Sequence, residues 1–190
     1  YEEAAHDYVE SFRTVADVAD YITINVSSPN TPELRDLQEE DRLRNLLSHL
    51  STENHKRSFP RPLLLKLSPA LDEESAITCV RTALAHDIQG IIISNTTISR
   101  DGVRSKLPQG IGGISGRPLF SKSTSLLKKL RIHFKDQIVV IGVGGIMSSR
   151  EAREKLDAGA DLLQIYTGFI YGGPRFPRQL LRGLDFSQER

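Results

Sequence analysis

Tyr21-Ile22-Thr23-Ile24-Asn25-Val26-Ser27-Ser28-Pro29-Asn30-Thr31 starts as an apolar strand and finishes as a block of amides and hydroxyls. A core strand normally ends in a turn. Here the apolar run, residues 21–26, gives way to side chains that bind rather than pack, and Pro29 cannot donate to a sheet ladder, so pairing stops there. The same design recurs along the chain. Lys66 follows Leu65, and Ser94-Asn95-Thr96-Thr97 follows Ile93. Gly142-Val143-Gly144-Gly145 follows Ile141, and Tyr166-Thr167-Gly168 follows Ile165. Each predicted strand delivers polar or glycine residues at its carboxyl end.

Between these strands lie helical patterns. Tyr8, Phe12, Val15 and Ala19 share one face of a first helix, and Leu43, Leu46, Leu47 and Leu50 mark a second. Asp72 is the predicted N-cap of a third, with Ile77, Val80 and Leu84 as its stripe. Leu126, Leu127 and Leu130 mark a fourth; Ser148 and Glu151 have the spacing of a capping box for a short helix ending at Gly159. A helical stub, residues 179–184, closes the chain. The strands, predicted at 21–26, 63–67, 90–94, 138–142 and 161–166, are near-continuous Val, Ile and Leu runs, as in a parallel sheet covered on both faces.

The pattern is α/β, one domain over residues 1–190. A closed (β/α)8 barrel needs eight strands and about 250 residues, and the chain opens at Tyr1 in mid-helix, so the expectation is about the last five βα units of a barrel. An open doubly wound sheet is the alternative. Chemistry gathered at strand carboxyl ends favours the barrel, whose active sites are assembled on that face.

Composition narrows the function. The chain has 190 residues, 38% hydrophobic, with a net charge of +1, so no basic excess points to nucleic acid. Its longest apolar runs, such as 90–93 and 138–141, fall far short of the roughly 20 residues of a bilayer span. The single Cys79 reads as a core residue, and the histidines at 6, 49, 55, 86 and 133 never form i,i+4 pairs, so no metal site is expected.

Lys66 inside Leu63-Leu64-Leu65-Lys66-Leu67 is costly to bury unless an anion or acceptor holds it. It reads either as a cation snorkelling from an edge strand or as a fixed charge against a cofactor that becomes electron-rich. The Gly112-Gly113-Ile114-Ser115-Gly116 and Gly142-Val143-Gly144-Gly145 loops offer unobstructed backbone amides suited to a phosphate, or simply to tight turning. No dinucleotide fingerprint accompanies them. Ser28 has neither a histidine partner nor a nucleophile elbow. A serine can instead take a proton from carbon when hydride leaves the adjacent carbon, which points to dehydrogenation of a C–C bond on a flavin.

Together the block 25–31, Lys66, Asn95-Thr96-Thr97, the 112–116 loop, Ile141-Gly142-Val143-Gly144-Gly145-Ile146 and Tyr166-Thr167-Gly168 resemble the dihydroorotate dehydrogenases over the whole chain. The resemblance implies an FMN-containing (β/α)8 barrel that oxidises dihydroorotate to orotate in pyrimidine synthesis. It makes Ser28 the base of the quinone-dependent class, since class 1 enzymes carry cysteine there. It gives Asn25, Asn30, Asn95 and Thr96 to the substrate. Asn25, Lys66, Ser94, Gly116, Gly145, Tyr166 and Thr167 fall to FMN.

A quinone as electron acceptor, and a membrane surface reached through an amino-terminal extension outside this chain, are implied likewise. The location expected is the cytoplasmic face of a bacterial inner membrane rather than the mitochondrial inner membrane. Glu33 stands where the family usually has glycine, so the substrate loop is expected to bend differently if that site needs positive φ. Three alternatives stay open: a class 1 or other FMN barrel, a phosphate-binding barrel of the triosephosphate type, and an inactive piece that needs its missing strands.

Overall fold

The computed structural model describes residues 2–31, 33–103 and 112–184. Five strands, β1 (Ile22–Asn25), β2 (Leu63–Leu67), β3 (Gly90–Ile93), β4 (Val139–Val143) and β5 (Leu162–Gln164), form one parallel sheet in the order β1-β2-β3-β4-β5. A doubly wound sheet reverses its strand order at a switch point. Here each strand lies beside its predecessor, the winding of a (β/α)8 barrel.

The two faces of the sheet differ. Ile24, Leu63, Leu65, Leu67, Ile91, Ile93 and Val140 join the main core with α1 (Glu2–Val15), α2 (Glu40–His55), α3 (Glu73–Ala85) and α4 (Arg117–Phe134). Leu65 and Leu67 are wholly buried there, each worth about 1.5–3 kcal/mol of apolar transfer. On the opposite face the register row Asn25, Lys66, Ile92, Ile141 and Leu162 carries only a small cluster of Leu64, Ile92 and Ile141. Leu162 is 57% exposed on that face. The sheet curls enough for Gln164 Nε2 to donate to the Tyr21 hydroxyl, 3.4 Å away, from the last strand to the approach of the first.

Several local expectations meet the structure. Asp72 caps α3 by accepting from Ser75 N at 2.9 Å, satisfying one orphan donor of the first turn. Cys79 is buried in the core and donates to Gln38 O at 3.3 Å; burial pushes its thiol up to about 12, so it stays protonated.

Others are corrected. The buried stripe of α1 is Ala5, Val9 and Phe12, continued by Ala16 in the turn that follows, while Val15 is exposed and Ala19 lies beyond the helix. Ser148 does stand at the N-cap of α5 (Ser149–Asp157), but its hydroxyl bonds the Glu151 carboxylate rather than the backbone. The strand ends at 21, 26, 94, 138, 161 and 165–166 leave the ladder. A sixth helix, α6 (Thr167–Gly172), precedes α7 (Phe176–Leu184), which starts three residues before the predicted stub.

Candidate functional site

The strand carboxyl ends bring the polar residues into two adjoining groups. The first is built on β1 and β3. Asn95 Nδ2 donates to Asn25 Oδ1 at 3.0 Å and to Ser27 Oγ at 3.1 Å, and Ser27 Oγ donates to Asn25 Oδ1 at 3.1 Å. Ser27 is fully buried, so this triangle satisfies its hydroxyl where water cannot. Asn95 Oδ1 accepts the Thr96 N–H at 2.8 Å, and the Asn95 N–H bonds Leu67 O at 2.9 Å. With Oδ1 of Asn25 doubly engaged, its two amide N–H donors have no protein partner among the described residues. Tyr8 steadies the same residue by donating to the Asn25 carbonyl at 2.8 Å.

Ser28 and Asn30 follow on the loop after β1. Ser28 Oγ accepts the Asn30 N–H at 3.2 Å, a donor that would stabilise negative charge growing on that oxygen. The Asn30 side chain is exposed. Glu33 has φ 58, ψ −6 and introduces a 3-10 turn, Leu34–Gln38, through its carbonyl, which accepts from Asp36 N at 2.9 Å. Positive φ is therefore met here by a residue with a Cβ, and the loop keeps its left-handed bend.

A cover crosses this group. Thr97 and Ile114 form an antiparallel bridge, with N···O distances of 3.1 and 2.6 Å, and Arg100 holds Gly112 O at 3.0 Å. Gly113 passes so close that a Cβ there would lie 1.9 Å from Thr96 Oγ1 and 2.9 Å from Pro29 Cγ. Glycine is demanded by this approach of backbone to the Asn–Ser block.

The second group is a cleft lined by Ser115, Gly144, Gly145, Tyr166, Thr167 and Gly168. Thr167 Oγ1 donates to Ser115 Oγ at 2.9 Å, closing one wall. Gly116 begins α4 with φ 72 and no side-chain cap; Pro118 has no N–H and the Leu119 N–H donates to Gly116 O at 3.0 Å, so it is the N–H groups of Gly116 and Arg117 that this helix start offers an anion. Tyr166 is 71% exposed at the rim.

Lys66 links the groups. It pairs in register with Asn25 on one side and Ile92 on the other, on the concave face. Its side chain is half-buried, no hydrogen bond or ion pair engages its ammonium among the described residues, and burial lowers its proton affinity below the ordinary lysine value. Ser94, 2% exposed, instead donates to Asn95 O at 3.0 Å and, through its N–H, to Val143 O at 3.3 Å, so it braces the ends of β3 and β4.

Of the predicted site residues, Asn25, Asn95 and Thr96 form one hydrogen-bonded cluster flanked by Ser28 and Asn30. Gly145, Tyr166 and Thr167 line the second group beside Gly116. Two contributors were not singled out from the sequence: Ser27, whose buried hydroxyl closes the triangle, and Lys155, wholly buried near the glycine turn. Lys155 falls three residues after buried Ala152 on α5, so helical phase was the signal for it. Among the described residues no cluster of three or more His, Cys, Asp or Glu is placed to hold a metal, and no helix is long and apolar enough to cross a membrane.

Comparison with known proteins agrees with this geometry. The family model described as dihydroorotate dehydrogenase matches residues 1–187. A dihydroorotate dehydrogenase (quinone) from Christiangramia forsetii is 44% identical over 173 residues, 91% of this chain and 51% of that protein. One from Sinorhizobium fredii is 45% identical over 184 residues, covering 94% and 51%. A crystal structure of dihydroorotate dehydrogenase from Eimeria tenella in complex with ferulenol superposes with a TM-score of 0.89 at 34% identity, over 95% of this chain and 53% of that one. The ligand-free Eimeria tenella structure gives 0.89 at 35% identity, over 95% and 55%. The chain spans about half the length of the relatives it matches. The barrel reading of the five-stranded sheet stands on these structures.

Proposed function

Because the chain belongs to the dihydroorotate dehydrogenase family, we propose that it forms part of an FMN-binding catalytic barrel of the quinone-dependent class, oxidising dihydroorotate to orotate in pyrimidine synthesis. The observation that carries this reading is the Asn25–Asn95 pair set astride β2 at the strand carboxyl ends, beside a half-buried Lys66 that has no counter-ion among the described residues. A planar ring with amide and carboxylate edges suits such a pair, because each amide offers donors and an acceptor in one plane. Serine rather than cysteine at position 28 favours the quinone-dependent class.

The residues present fit a flavin mononucleotide. The cleft of Ser115, Gly144, Gly145 and Thr167 with the uncapped start of α4 suits its phosphate and ribityl chain, with Gly116 and Tyr166 at the margins. Lys66 would suit the ring, its ammonium able to meet negative charge there, while Ser94 braces the ends of β3 and β4 beside it. When bound, FMN supplies the acceptor for a hydride leaving C6 of dihydroorotate and passes the electrons on to a quinone.

The protein's own part is acid–base and positional. Ser28 Oγ takes the proton from C5 as its own hydroxyl proton passes to a water, and the Asn30 N–H, which donates to that oxygen, favours its alkoxide form. Asn25, Asn30, Asn95 and Thr96 fix the ring so that the C5 proton faces Ser28. The cover pinned at Gly113 closes over part of the Asn–Ser block. A quinone partner places the protein at a membrane surface, and the cytoplasmic face of a bacterial inner membrane is the location we propose.

The test is Ser28→Ala in the full-length enzyme, followed by stopped-flow flavin reduction. Reduction slows by about two to four orders of magnitude while orotate binding stays near that of the parent. Reduction at the parent rate would remove Ser28 from the base role.

A further inference from the structure

Lys155 has the largest fully buried side chain among the described residues, at 0% exposure. Its Nζ donates to Ser123 Oγ at 2.7 Å and Thr124 Oγ1 at 2.9 Å, and stands 5.1 Å from the centroid of the Phe120 ring. No carboxylate lies within ion-pair distance of it among the described residues. Its stem runs beneath Gly142: a Cβ there would lie 3.1 Å from Lys155 Cδ, Leu127 Cδ1 and Ala160 Cβ alike. A buried ammonium held only by neutral groups is costly. It calls for an anion that completes its surroundings in the working state.

The hydrogen-bond chain shows where that anion would be. Ser123 Oγ, which accepts from Lys155, lies 3.4 Å from Gly144 O and 3.2 Å from Phe120 O. The glycine turn is pressed onto the same part of α4. A Cβ on Gly144, at φ 102, would lie 2.8 Å from Leu119 Cδ2 and 3.2 Å from Ser123 Oγ; one on Gly145, at φ 78, would lie 2.4 Å from Phe120 Cβ. One turn of α4 thus touches Lys155 on one side and the phosphate-suited turn on the other.

We propose that Lys155 is a positioning residue for the phosphate end of the flavin, locking Ser123 and the residue 144–145 turn in place and supplying positive charge behind them. This rests on the FMN reading above and assigns to it a residue that touches neither cofactor nor substrate. The groups set against Lys155, namely Ser123, Thr124, Phe120 and Leu127 of α4, Gly142 of β4, and Ala160, carry no charge. An attraction between Lys155 and a bound phosphate would therefore go uncompensated, and in a low-dielectric setting such a term is substantial.

FMN and riboflavin differ only in the phosphate, so their relative affinity isolates the effect. The full-length protein, stripped of flavin, is titrated with each by flavin fluorescence. Lys155→Met is expected to weaken FMN by about tenfold or more and to leave riboflavin within about twofold. Equal loss for both flavins, or loss for neither, overturns the proposal and leaves Lys155 as a packing group.

A measurement on the unmutated protein keeps the question decidable should the variant not fold. The FMN-to-riboflavin affinity ratio should fall between about pH 7.5 and 9.5 as Lys155 gives up its proton, and a flat ratio overturns the proposal. Lys66, on the ring that both flavins share, cancels from the ratio. If the unmutated protein binds neither flavin, it is the FMN reading that fails.

Discussion

Asn95 reaches across the end of β2 to donate to Asn25 at 3.0 Å, joining residues 70 apart in sequence into one amide surface. The bond orients Asn25 by occupying its oxygen, which turns its N–H donors toward any ligand.

Asn95→Ala removes that orientation and, on the proposed reading, a direct contact with the substrate. Orotate affinity should fall by about tenfold or more, with flavin content unchanged, as read by orotate titration of the flavin spectrum. Asn95→Asp should be worse, since it replaces the donor facing Asn25 Oδ1 with a charged acceptor. Parent-like orotate binding in Asn95→Ala would show the pair to be incidental.

Glu33 holds φ 58, a conformation in which a Cβ costs about 1 kcal/mol. Glu33→Gly should raise stability by up to about 1 kcal/mol, and Glu33→Val, β-branched, should lower it by about 1–3 kcal/mol. Thermal melts of the two variants must move in opposite directions. A melt raised by valine would mean that the loop does not hold this bend in solution.

Burial pushes the Lys155 ammonium down to about 8, from 10.5. Below about pH 8 folded and unfolded chains are both protonated there. Between pH 8 and 10.5 the unfolded chain binds more proton, so this group's contribution makes flavin-free protein more stable as pH rises. The gain reaches about 3 kcal/mol. It should be seen as a difference in denaturation midpoint against Lys155→Met, and it should shrink when FMN is bound and holds the proton in place. A pH-independent difference between the two proteins would contradict it.

The strands were legible because both faces of a parallel sheet demand Val, Ile and Leu; β2 runs from Leu63 to Leu67 as its sequence suggests. Their ends were overrun where apolar residues extend beyond the ladder, after β1 at Val26 and before β4 at Ile138. The α1 stripe was misplaced for a reason of size. Ala5 and Ala16 are small enough to sit wholly inside yet hardly register as hydrophobic, whereas Tyr8 turns its hydroxyl to the Asn25 carbonyl.

Short α6 went unseen because its sequence is bracketed by glycines and leaves Ile170 and Tyr171 exposed. In the site, the Asn and Gly motifs stand out because they interrupt strands. Lys155 does not, since a lysine on an otherwise charged helix reads as solvent-facing until the fold turns it inward.

Sequential strand order has a kinetic consequence. Each strand pairs with the one made just before it, so every connection that must close is one crossover between neighbouring strands, the inexpensive regime of chain closure. This half of a barrel can grow one unit at a time as the chain emerges. The Gln164 to Tyr21 contact, across 143 residues, can form only when β5 is in place, which makes it a natural reporter for the last step of assembly.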